Sequence, residues 1–88
     1  MSASTAQPGN TTKAVPAAAE VFTRAFFAGR EPRSEAYRAG VLDTLRHRLE
    51  GVSFPAALHP AGSAERDAYF AGADEGRALA TAAKEAAA

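Results

Sequence analysis

The chain has 88 residues, with 10 Lys and Arg against 10 Asp and Glu. That allows one small domain and excludes a multidomain enzyme, a pore, and any overall electrostatic pull toward nucleic acid or an anionic membrane. Hydrophobic residues reach 47%, but 24 of them are Ala and only 17 are larger, so the expected core is thin, either marginal alone or completed by a partner.

Residues 1–14, MSASTAQPGNTTKA, hold no larger apolar side chain after Met1 and cannot repay the entropy of ordering, so they read as a flexible tail. The start lacks a basic segment followed by an apolar run, and no stretch approaches about 18 apolar residues, so neither export nor membrane spanning is expected and a cytoplasmic location is. Pro16 suits a first helical position, and Val21, Phe22, Ala25 and Phe26 follow at helical spacing before Gly29, which predicts a short helix over about 17–28. Ser34 then caps a helix over 34–50, in which Tyr37, Val41, Leu45 and Leu49 recur every fourth residue and Gly51 is the stop. Val52 to Gly62 contains Pro55 and Pro60 and reads as a loop held down by Phe54 and Leu58. Ser63 caps a third helix over about 64–84, with the last Ala residues fraying.

Nothing reads as a strand. The expected architecture is all-α: a single domain over 15–88, a three-helix unit made of a helical hairpin and a short N-terminal helix, after the tail.

The segment Glu35 to Gly40 (EAYRAG) is echoed 32 residues later by Asp67 to Gly72 (DAYFAG). In each copy an aromatic precedes Gly by three residues, so ring and glycine share one helical face, and the glycine lets a neighbouring backbone approach. Ala68, Gly72, Gly76 and Ala80 extend this into a ridge of small residues suited to close helix contact.

The segments Ala36 to Gly40 (AYRAG) and Arg66 to Arg77 (RDAYFAGADEGR), joined by a Pro-containing loop, resemble the ribosome modulation factor family of small two-helix proteins, found in bacteria, phages and prophages. The resemblance covers about half the chain and implies a helical pair and ribosome association. The chain departs from the family where tryptophans are usual, having Tyr69 and Ala73, and it has a longer linker and His59-Pro60-Ala61 in place of a Cys-Pro-Tyr turn. It is also neutral where the ribosome-binding members are basic.

No catalytic constellation is visible. His47 and His59 lie apart, on a helix and in a loop, without further ligand-like residues, so neither a metal nor another cofactor is expected. Asp74 and Glu75 are adjacent, point about 100° apart on a helix, and read as surface charges.

The informative positions are side chains on unexpected faces. Arg38 falls within the apolar arc of Tyr37, Val41, Leu45 and Leu49. Phe70 shares its arc with Arg66, Asp74 and Arg77, an aromatic flanked by the residue types that anchor interfaces. It is either open to a partner or covered by the Phe22, Phe26 and Phe27 helix of the same chain. Those three rings exceed what one short helix buries, which marks Phe27 as a further contact.

The expected partner-binding set is therefore Phe70, Arg77, Arg66, Asp74, Arg38 and Phe27. The corresponding function is non-catalytic protein binding, in concrete form a phage- or prophage-encoded inhibitor of a host complex of the anti-CRISPR type. The alternative is a ribosome-associated protein with Arg38, Arg46, Arg48, Arg66 and Arg77 facing RNA. A homodimer is as compatible with the glycine ridge as a monomer.

Overall fold

The computed structural model describes residues 14–55 and 59–88. The tail read over 1–14 falls, apart from Ala14, outside the described residues, as does Leu58. Three helices form, α1 (Ala18–Ala25), α2 (Glu35–Glu50) and α3 (Ala64–Ala87), with no strand among the described residues. No helix among them is long and apolar enough to cross a membrane.

Local chemistry sets most of the boundaries. The hydroxyls of Ser34 and Ser63 accept from the backbone N–H of Tyr37 and Arg66, each at 3.1 Å, satisfying donors that the first turns of α2 and α3 leave open. Gly51, at φ 72°, closes α2 in the left-handed conformation; its N–H reaches His47 O and the Val52 N–H reaches Arg46 O.

Three boundaries differ from the sequence reading. α1 ends at Ala25 rather than about residue 28, because Phe26 turns out of the helix and the Arg30 guanidinium takes the Ala25 carbonyl at 2.8 Å. Pro16 also lies outside α1, and its first N–H, from Ala18, donates to Glu50 Oε2 at 2.7 Å, so the end of α2 caps the start of α1. α3 runs to Ala87 instead of about 84, as its Ala-rich end has the highest helix propensity and Leu79 and Ala83 pack against the core.

The core is thin. Ala18, Val21, Tyr37, Val41, Leu45 and Ala80 are buried together, with Phe22, Phe26, Leu42, Leu49 and Leu79 packed around them. α2 and α3 make the main contact and advance together along it: Tyr37 lies on Gly72, Val41 and Thr44 lie on Gly76, and Arg48 borders the same cleft as Lys84. The two helices therefore cross with the same sense, and the start of α3, at Ala64 and Ala68, lies beside the start of α2, at Ala36 and Ala39.

The repeated tyrosine and glycine explain how they approach. An alanine Cβ at Gly72 would stand 2.0 Å from Tyr37 O, and one at Gly40 would stand 2.0 Å from Tyr69 O. The contact is reciprocal, each glycine receiving the carbonyl of the other copy's tyrosine. It is the backbone of the aromatic residue, rather than its ring alone, that the glycine admits.

Thr44 packs where the helices cross, 1% exposed, and its hydroxyl has no hydrogen-bond partner among the described residues. Burial of an unpaired hydroxyl opposes folding. Thr44→Val keeps the shape that meets Gly76 and is expected to stabilise the fold by about 1 kcal/mol, read as a higher urea midpoint at unchanged slope. An equal or lower midpoint would mean that the hydroxyl is satisfied in solution.

Candidate interaction face

The reciprocity extends beyond the backbone. Tyr37 donates its hydroxyl to Glu75 Oε1 at 2.6 Å, and Tyr69 donates to Asp43 Oδ2 at 2.8 Å. Asp43 and Glu75 are separated by the same interval as Tyr37 and Tyr69, and Gly40 and Gly72. The pair thus has an approximate two-fold axis running along it, and equivalent residues emerge on opposite faces.

α1 covers one face only. It lies against Tyr37, Val41 and Leu45 of α2, and on α3 it meets the C-terminal half, from Leu79 onward. Arg30, just beyond α1, places Nη1 and Nη2 at 2.9 and 2.8 Å from the two oxygens of Glu75, completing a site with the Tyr37 hydroxyl. Glu75 is consequently not the ordinary surface charge its sequence position suggested. The Arg30 guanidinium, and after it the Tyr37 hydroxyl, hold its carboxyl below the usual range against the opposing effect of burial.

Phe70 is the equivalent of Arg38, and the two sit on opposite faces. Arg38 is exposed on the α1 side, beside a depression lined by Phe26, Phe27, Arg30 and Arg33. It escapes the apolar arc by reaching past its rim to solvent. Phe27, 60% exposed, borders the same depression. Phe70 is 52% exposed on the other face, so α1 does not cover it. The Arg66 guanidinium lies 5.2 Å from its ring centroid, and Tyr69 meets it edge-on at 5.8 Å. One and two turns onward along α3, Asp74 and Arg77 form an exposed ion pair.

The six residues expected to bind a partner are therefore divided. Arg66, Phe70, Asp74 and Arg77 form one stripe on the open face, while Arg38 and Phe27 form a separate patch beside α1. Sequence reasoning missed what borders the stripe. Asp43 and Tyr69 lie at one end, and at the other is a cleft lined by Thr44, His47, Arg48, Phe54, Arg77 and Lys84. Phe54 stacks on His47 at 4.5 Å yet remains 45% exposed, so it only partly closes the loop onto α2. Arg48 and Lys84 form no ion pair among the described residues, which leaves this end of the face positive.

His59 packs against Tyr69 at 5.9 Å and its carbonyl accepts from Arg66, so it ties the returning loop to α3. Burial, followed by the Asp43 carboxylate, raises the Tyr69 phenol well above its ordinary value, which keeps it a hydrogen-bond donor across physiological pH. No family model, curated protein or solved structure matches the chain.

Proposed function

We propose that the protein works without catalysis, by docking the open face of the α2 and α3 pair on a protein complex and inhibiting it, as phage-encoded accessory inhibitors of the anti-CRISPR type do. The observation that carries this reading is Phe70, half exposed beneath the Arg66 guanidinium on the side of the helix pair that α1 does not cover. Aromatic and arginine side chains placed together at the centre of a surface are the usual anchors of protein interfaces. The thin core and the balanced charge support it, because binding needs a presented surface rather than a deep pocket.

Phe70→Ala and Arg77→Glu are each expected to weaken capture of the partner about 30-fold or more while far-UV circular dichroism stays unchanged. Phe27→Ala, on the other side of the helix pair, serves as the control and should bind normally. Full binding by both α3 variants would remove this face from the function.

A second reading, ribosome association through RNA, draws on the cleft of His47, Arg48, Arg77 and Lys84 with the half-exposed Phe54. The five arginines suggested by the sequence do not form one RNA-facing set, since Arg38 lies on the α1 side. This reading expects binding to fall steeply as salt rises, because each phosphate contact releases counterions. The aromatic-centred stripe favours the first.

A further inference from the structure

We infer that the Asp43 and Tyr69 pair on the open face is a receptor for an arginine side chain supplied by the protein partner, a statement that rests on the docking reading above. The molecule contains its own template. On the covered face Glu75 accepts the Tyr37 hydroxyl at 2.6 Å and is closed by the guanidinium of Arg30, held by both of its oxygens at 2.8 and 2.9 Å. On the open face the equivalent carboxylate, Asp43, accepts the Tyr69 hydroxyl at 2.8 Å and has no cation paired with it among the described residues. Among the described residues Tyr69 is its one side-chain hydrogen-bond partner.

Three features make this a prepared site rather than a stray carboxylate. Asp43 is only partly exposed, and the crossing of the helices fixes its position through Gly40, whose Cα faces the Tyr69 carbonyl. Tyr69 holds one carboxylate oxygen and leaves the other to an incoming group. The Tyr69 ring that holds Asp43 is itself flanked by the rings of His59, at 5.9 Å, and Phe70, at 5.8 Å, flat surfaces of the kind on which a planar guanidinium stacks, as Arg30 stacks on Phe26 at 4.2 Å in the template. The nearby arginine of the chain does not fill the site: Arg66 lies over Phe70 and donates to the His59 carbonyl. An ammonium would meet the charge but not the flat rings and the forked geometry, so arginine is preferred to lysine.

The probe is Nα-acetyl-arginine amide, with the citrulline analogue as a neutral isostere, titrated into the full chain carrying 13C-labelled tyrosine. The expected result is a saturable shift of the Tyr69 ring resonances with arginine amide, a weaker one with lysine amide and none with citrulline amide, while Tyr37 stays unmoved. Asp43→Asn, whose amide oxygen still accepts from Tyr69, should weaken the response about five-fold or more, with unchanged helicity. Tyr69 failing to respond, or responding equally to citrulline or in Asp43→Asn, would overturn the inference.

Capture of the partner separates the two claims. Loss of binding in Phe70→Ala without any effect of Asp43→Asn would sink the arginine site and leave the docking face standing. Arginine binding at Asp43 together with full partner binding by Phe70→Ala and Arg77→Glu would do the reverse.

Discussion

Gly72→Ala is expected to disrupt the helix pair, although the same exchange in an ordinary exposed helix stabilises it by about 0.5–1 kcal/mol. The new Cβ would lie 2.0 Å from the Tyr37 carbonyl oxygen and 2.9 Å from its carbon, and both belong to backbone inside α2 rather than to a side chain that can swing aside. Relief requires the helices to separate along the contact that holds the core. A net loss of about 3 kcal/mol or more follows, a large fraction of the stability of a domain this small. Gly40→Ala should cost about the same, since its Cβ meets Tyr69 O at the same distance. Gly76→Ala should cost less, as its nearest contacts are at 2.8 Å and one is the Thr44 side chain. Gly51→Ala, with open space around it but a φ of 72°, should lose only about 1 kcal/mol. Chemical denaturation of the four variants tests the order, and equal losses at Gly72 and Gly51 would refute the close approach.

Glu75→Ala is the second large effect. It removes the acceptor of the Tyr37 hydroxyl and both partners of the Arg30 fork, which also holds the last carbonyl of α1. The loss of the hydrogen bond from Tyr37 alone is on the order of 1–2 kcal/mol. α1 should loosen first, seen as faster amide exchange over Val21 to Ala25. The carboxyl also makes stability depend on pH. Its folded pKa lies below the ordinary value of 4.5, so its contribution is complete above that value and is lost as pH falls through the folded pKa. Melting temperatures followed from about pH 7 to about pH 3 should fall less steeply below 4.5 in Glu75→Gln than in the parent. Parallel curves would show that the carboxylate is not held by Arg30 in solution.

Local signals in the sequence carried far. Ser34, Gly51 and Ser63 marked helix ends because capping is decided within a few residues, and the glycine ridge marked a close contact because only missing side chains permit one. Phe70 could be placed on a polar arc of α3, but whether α1 covered it depended on which side of the pair α1 chose, and that is a tertiary fact. The C-terminus of α1 was missed because Arg30, five residues beyond Ala25, competes for the carbonyl that would have continued the helix. Asp43 and Glu75 were missed although the echo pointed to them: three residues after each glycine stands an acid, and comparing the copies that far would have paired both with tyrosines. Their partners lie on the other helix, so no window within one helix reveals them.

The same-sense crossing of α2 and α3 also shapes how the chain reaches its fold. In an antiparallel bundle with short turns the first contacts lie near the loop and close in microseconds. Here even the start of the interface joins Tyr37 to Glu75, 38 positions away, and Tyr69 to Asp43, 26 away, so no short loop can nucleate it. The contact order is high for a protein made only of helices, and the entropy of closing the long return segment must be met before any glycine finds its carbonyl. Assembly of the open face is thereby tied to the slow, cooperative step: until the two helices have crossed, neither Phe70 nor Asp43 is presented in its final place.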